Sequence, residues 1–393
     1  MLACLSPNGL NSYQGDAACD RLLVGTIAGV AVLEKSQGVW RRSGTVLAGQ
    51  HISSLLYEPK KGGLFAGVHR GRIHFSADQG RTWEERASGL SVEHVYTLAC
   101  NMEGGEPVLY AGTEPVNLFR SRDYGRSWQE IPIIPKVKGV DKWAFPMPPN
   151  IPHVKTIAFD PRDSRVILVG VEQGGLFRSA DGGDTWTELD AYYKPSDAVY
   201  KDLHQVTRRP NHPDEIVMAT GNGYYLSSDD GKSWSHLTDP AFRSGYPDKL
   251  AFNPLDDGQL FMCGADDNPG TWRVLHYAHP AVMQSRDMGR SWQDASAGLP
   301  KDMVPSIEAL SIVASKDGVE LFGGTTAGEV WHSADGAKSW QCLSDELEAV
   351  SKSAHFRLLL PGGPGGPGGP GAPGGSPGGP PGQPPSAPPG ARP

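Results

Sequence analysis

The chain has 393 residues, 38% of them hydrophobic and 20% charged, with a net charge of −8 at neutral pH. That composition supports a sizeable apolar core, and its acidic balance excludes a general nucleic-acid binder, whose affinity comes from neutralising phosphates. No apolar run reaches the roughly 20 residues that span a bilayer, so no membrane contact is expected.

The start, Met1-Leu-Ala-Cys-Leu-Ser-Pro-Asn-Gly9, lacks the basic segment and long apolar stretch of a secretory leader. The five cysteines are odd in number and scattered. A reducing cytoplasm is the expected home.

From residue 22 onward the chain reads as short strands punctuated by one recurring octet. It occurs at 76–83, 121–128, 179–186, 227–234, 285–292 and 333–340, each time as Ser-x-Asp-x-Gly/Ala-x-Ser/Thr-Trp. Ala337 stands where the other five copies have Gly, and a degenerate seventh copy keeps only Gly38 and Trp40. Successive tryptophans are 43, 45, 58, 48, 58 and 48 residues apart, the period of a four-stranded propeller blade. The chemistry of the octet suits a hairpin turn: Ser and Asp cap turn amides, Gly supplies a positive φ, and Trp opens the next strand.

These octets resemble Asp-box (BNR) repeats, and they cover almost everything before residue 361. The resemblance implies an all-β fold, a single seven-bladed β-propeller over 1–360 with every Asp-box turn on one face, taken as the bottom. It does not specify an activity, because such repeats occur in sialidases, other glycosidases, sortilin-like receptors and photosystem assembly factors. The chain enters at what reads as the second strand of the first blade, 22–26, so its innermost strand is expected from 355–360, closing the ring. The rival for that place is 2–7, which resembles 250–254.

The unusually long connections, 130–152, 188–203 and 265–282, all fall on the top face. Long loops on a rigid scaffold build sites. These loops and the strand ends beneath them supply Trp143, Phe145, Tyr192, Tyr193, Trp272, Tyr246 and Lys155 as candidate contacts to a small-molecule substrate.

Aligning the innermost strands on Pro59, Pro161, Pro210 and Pro254 brings histidines into columns. His51, His94 and His153 share the upper column, while His204 and His355 fall two residues deeper, beside Lys155, Asp248 and Glu308. His69 lies on a neighbouring top loop. Imidazoles converging from several blades suit a transition metal, with Glu93, Glu114, Glu172 and Glu308 as orienting acceptors. The arrangement is similar to that of carotenoid-cleaving oxygenases, which are also seven-bladed and hold iron on four axial histidines. By that analogy Fe or Cu is favoured over Zn, and the expected function is a metal-dependent, oxidative enzyme.

Two other classes remain open. A glycoside hydrolase would need paired carboxylates, for which Glu308, Asp248, Glu172 and Glu114 are the candidates. Sialidase activity is not expected: there is no Phe-Arg-Ile-Pro segment, and that family has six blades. A binding scaffold would need no chemistry at all. Residues 361–393, rich in Pro and Gly, read as a disordered tail that is either inert or a ligand for a protein partner.

Overall fold

In the computed structural model, which describes residues 1–133, 143, 151–197, 201–238, 241–352 and 355–359, seven sheets are arranged around one axis. Each blade contributes four strands in radial order, and the innermost strands contact their neighbours in sequence until the last meets the first. Phe145 and the tail at 361–393 lie outside the described residues.

The repeated octet forms the turn between the third and fourth strands. In the copy at 76–83, Ser76 Oγ accepts from Gly80 N at 2.8 Å, and Asp78 Oδ1 accepts from Thr82 N at 2.9 Å. Thr82 Oγ1 donates to Asp78 Oδ2 at 2.7 Å, and Trp83 Nε1 folds back onto Gly80 O at 3.1 Å. The copy at 227–234 repeats these bonds. Donors aimed at both oxygens favour the ionised carboxylate, and the hydroxyl and backbone amide of Ser233 hold Asp229 down at about 2.

The ring closes in a way the sequence reading misplaces. Residues His355–Leu358 form a 3-10 turn, not a strand. The innermost strand of blade 1 is Leu2–Leu5, running parallel to Arg21–Thr26. An innermost strand is covered on both faces, and all four residues of Leu2–Leu5 are buried; 355–360 would have carried Arg357 into that position.

The C-terminal chain nevertheless helps to close the ring. Ala349 O accepts from Ile27 N at 2.9 Å, and Val350 N donates to Thr325 O at 3.0 Å. Val350 also packs against Gly324, where a Cβ would stand 2.9 Å from its methyl, as Ile52 packs against Gly25 at 2.9 Å and Val95 against Gly67 at 2.8 Å. Residues 349–351 therefore take the top of a strand position whose lower part belongs to the N-terminus.

Past Leu5 the chain turns into the channel. Asn8–Gly9 pairs in parallel with Ser54–Leu55 on the inner edge of blade 2, and Ser12–Gln14 with Ile312–Ala314 on that of blade 7. Asn8 Nδ2 donates to Tyr96 O at 3.1 Å and Asn11 Nδ2 to Leu250 O at 2.9 Å. The N-terminal segment thus occupies part of the channel below its midpoint.

Candidate functional site

Six innermost strands share one irregularity. In blades 2 to 7 the pairing with the second strand slips by one residue at Ser53, Tyr96, Lys155, His204, Asp248 and Glu308. Each is the extra residue of a β-bulge, a device that re-aims a side chain. All six are buried. His51, His94 and His153 therefore stand two residues above bulges and His204 is itself a bulge residue, whereas His355, read into the same deeper column, lies in the 3-10 turn.

Around the axis these side chains form linked ion pairs. His153 Nε2 lies 2.6 Å from Glu172 Oε2, and its Nδ1 lies 3.4 Å from Glu114 Oε2. Glu114 Oε1 lies 3.5 Å from His94 Nδ1, and Lys155 Nζ lies 3.2 Å from Glu172 Oε2. Across the channel, Lys352 Nζ pairs with Asp248 Oδ2 at 2.8 Å, with Lys249 Nζ 3.5 Å from Oδ1. Glu308 is engaged through both oxygens: Oε1 with His355 Nδ1 at 2.8 Å, Oε2 with Ser351 Oγ and Lys352 N, each at 3.0 Å.

These pairs decide the charge states. Burial pushes the carboxyls of Glu172, Glu308 and Asp248 up, but the neighbouring cations outweigh it and hold all three below the usual range. Burial likewise raises Glu114, and His153, His69 and His94 bring it down. Lys155, where burial outweighs Glu172, falls to about 8. A glycosidic general acid needs a carboxyl held protonated at neutral pH, usually by a raised pKa. None of the four carboxylates named from the sequence is held that way.

The expected metal set does not converge. His153 is enclosed by Tyr96, stacked at 3.7 Å between centroids, and by its two glutamates. His355 faces Glu308, and His51 Nε2 faces Ser351 O at 2.8 Å. His51, His69 and His94 do form a short row, with ring centroids 5.0 and 5.8 Å apart. Among the described residues, the group whose ligand atoms all lie within 4.8 Å of one another is Glu172, Asp202 and His204.

Among the described residues, the top-face aromatics pack on other side chains. Trp143 packs on Phe177 with centroids 5.4 Å apart, and Tyr192 is edge-on to Tyr225 and Trp234. Lys201 Nζ sits over the Tyr193 ring. Trp272, on the helix Pro269–Leu275, is edge-on to Tyr246 and His355, each at 6.1 Å. His332, on the third strand of blade 7, is buried against Phe322 and pairs with Glu320 at 3.0 Å.

The main cavity opens on the other face. It has a volume of about 910 Å³, and its rim carries Pro59, Lys60, Pro161 and Pro210 at the lower ends of the innermost strands. Its walls are largely apolar, with Leu10, Leu56, Leu98, Ile157, Phe159 and Val206, interrupted by Gln205, Arg208 and Arg209, and it reaches inward to Lys155, His204 and Lys249. The sequence reading missed this cavity because its wall residues look like ordinary core, and only the channel geometry leaves them uncovered.

Fold and axis together define a single seven-bladed β-propeller with buried ion pairs along its axis and a largely apolar cavity at its bottom. Residues 174–299 match the family model described as sortilin, neurotensin receptor 3. A xyloglucanase from a Paenibacillus species is 26% identical over 67% of this chain and 27% of its own length. A probable oligoxyloglucan-reducing end-specific xyloglucanase from Neosartorya fischeri is 23% identical over 48% of this chain and 25% of its own. The chain thus spans about a quarter of the length of these curated relatives. Among solved structures, the GH74 xyloglucanase from Xanthomonas campestris superposes with a TM-score of 0.57 at 18% identity, covering 75% of this chain and 45% of that one. YCF48 bound to D1 peptide superposes with a TM-score of 0.52 at 14% identity, covering 81% of this chain and 89% of that one.

Proposed function

We propose that the protein is a binding module whose bottom cavity receives the end of an extended, apolar peptide. The observation that carries this reading is the cavity itself, a largely apolar tube with Lys155 and Lys249 at its inner end. Apolar walls favour apolar side chains, and a basic inner end favours a terminal carboxylate. The chain's own N-terminal segment already lies extended along the inner edges of blades 2 and 7, so the channel accommodates a strand.

Fluorescence polarisation with labelled apolar hexapeptides tests this. Binding is expected for free C-termini, weaker binding for the amides, and loss on Ala158→Trp, which fills the cavity. Equal binding of acid and amide, or full binding by Ala158→Trp, would refute it.

Glycoside hydrolysis is the second reading, favoured by the sequence matches to xyloglucanases, which put it ahead of metal-dependent oxidation. Release of reducing ends from xyloglucan, abolished by Asp248→Asn or Glu308→Gln in a folded protein, would establish it.

A further inference from the structure

We propose that Glu172, Asp202 and His204 form a buried site for one divalent transition-metal ion, joining blades 4 and 5. Glu172 ends the second strand of blade 4, whereas Asp202 and His204 flank the start of the first strand of blade 5, and Glu172 and Asp202 are bridged through their backbones. All three side chains are buried, and their ligand atoms lie within 4.8 Å of one another. Donors about 2.1 Å from a common centre stand at most about 4.2 Å apart, so ligation asks the three side chains to draw in by no more than about 0.6 Å.

The tautomer of His204 supplies an independent reason. Its Nδ1 lies 2.6 Å from Pro247 O. A carbonyl only accepts, so the ring proton is on Nδ1, and in the neutral ring Nε2 presents a lone pair. That nitrogen is fully buried and makes no hydrogen bond among the described residues. Its neighbour is Asp202 Oδ2 at 3.4 Å, an atom that already accepts from Tyr246 OH at 3.3 Å. With the ring neutral, that lone pair faces the Asp202 carboxylate, an arrangement that a cation turns from repulsive to attractive.

The surroundings are those of a metal ligand set. An imidazole that gives its remote N–H to a backbone carbonyl has its ligating nitrogen fixed in direction, and carboxylates that accept outer hydrogen bonds are fixed likewise. Tyr246 holds Asp202 in this way, while His153 and Lys155 hold Oε2 of Glu172. Two carboxylates and one imidazole suit Zn²⁺, Mn²⁺ or Co²⁺ better than a soft ion such as Cu⁺. The cavity reaches His204, which gives the ion a route in from the bottom face.

The test uses the full chain without a histidine tag, freed of metal by chelator and titrated with Co²⁺ and Zn²⁺. One equivalent per chain is expected, with Co²⁺ d–d absorption in the visible and a thermal midpoint raised by Zn²⁺. His204→Ala and Asp202→Asn should each lose the equivalent and the spectrum, and Asp202→Asn preserves side-chain shape should His204→Ala fold poorly. His69→Ala, in the neighbouring histidine row, should bind as the wild type does. No binding by the wild type would overturn the proposal, and so would loss in His69→Ala with retention in Asp202→Asn.

Discussion

Lys352 Nζ lies 2.8 Å from Asp248 Oδ2, and both residues are sealed from solvent at the axis. One comes from the innermost strand of blade 6 and the other from the chain that crosses the top after blade 7. This pair anchors the C-terminal segment just before 355–360, where the sequence suggests a strand. Removing one member of a buried ion pair strands the other, which costs about 3–5 kcal/mol. Lys352→Met should therefore destabilise the fold by about 3 kcal/mol in urea denaturation, toward the lower end because Lys249 remains 3.5 Å from Asp248.

The same pair fixes a pH dependence. Burial pushes the Asp248 carboxyl up, but Lys352, Lys249 and Lys155 together hold it far below the usual range. A carboxyl whose folded value lies below its unfolded value binds fewer protons in the native state, so it stabilises the fold above about pH 4 and less as pH falls. Burial lowers Lys352, and Asp248, Glu308 and Glu172 raise it above its ordinary value. Its contribution is complete below about pH 10 and is lost as pH rises further. Stability measured against pH should fall at both ends for the wild type and be flatter at both for Lys352→Met.

Composite closure makes a prediction about truncation. A chain ending at 352 keeps Val350, Ser351 and Lys352 and loses the His355 contact to Glu308, a cost of about 1–2 kcal/mol. Ending at 347 also removes the Lys352 pair and uncovers Gly324, and should cost several kcal/mol more. Deleting residues 1–5 strips the innermost strand of blade 1 from Arg21–Thr26 and should be at least as damaging. Equal melting of all three truncated chains would refute composite closure.

The blade count was legible because each octet repeats a hydrogen-bonded turn made by its own side chains, so Ser76, Asp78 and Trp83 identify it without tertiary information. The histidine columns were legible as positions, since strand period and blade repeat fix which residues stand at the axis. Their pairing was not. His153 is held by Glu114 and Glu172 from second strands, and Glu308 by a segment after the last blade, partners that no spacing within one strand encodes. The bulges at Ser53, Tyr96, Lys155, His204, Asp248 and Glu308 leave no composition signature, which is why the two columns were read as a plain period of two. The cavity was hidden for a related reason: Leu98, Ile157 and Val206 face a channel that the N-terminus only partly fills.

The octet turns differ in how much room they leave for a methyl group. Gly289 has φ near +80°, and a Cβ there would overlap the ring of Tyr224. Ala337 holds φ near +66° in the equivalent turn and is buried against Trp340 and Leu299. Gly289→Ala should cost about 3 kcal/mol, from left-handed strain plus overpacking. Ala337→Gly should change stability by less than about 1 kcal/mol, since relief of strain, chain entropy and the lost methyl offset one another. Denaturant midpoints of the two variants provide the comparison.

The opposite faces of the disc can be separated by one further substitution. Trp272 is fully buried beneath the top helix Pro269–Leu275, its Nε1 donates to Asp267 O at 2.6 Å, and its ring touches Tyr246 and His355. Replacing a buried Trp by Ala costs about 3–5 kcal/mol, and here the loss falls first on the helix that the indole anchors. Trp272→Ala should therefore speed amide exchange across 269–275 and lower the melting point. Peptide affinity at the bottom cavity should stay within about twofold, because the indole does not line that cavity. If Trp272→Ala instead abolished binding while leaving exchange across the helix unchanged, the top-face aromatics would be the ligand site and the assignment of the two faces would be reversed.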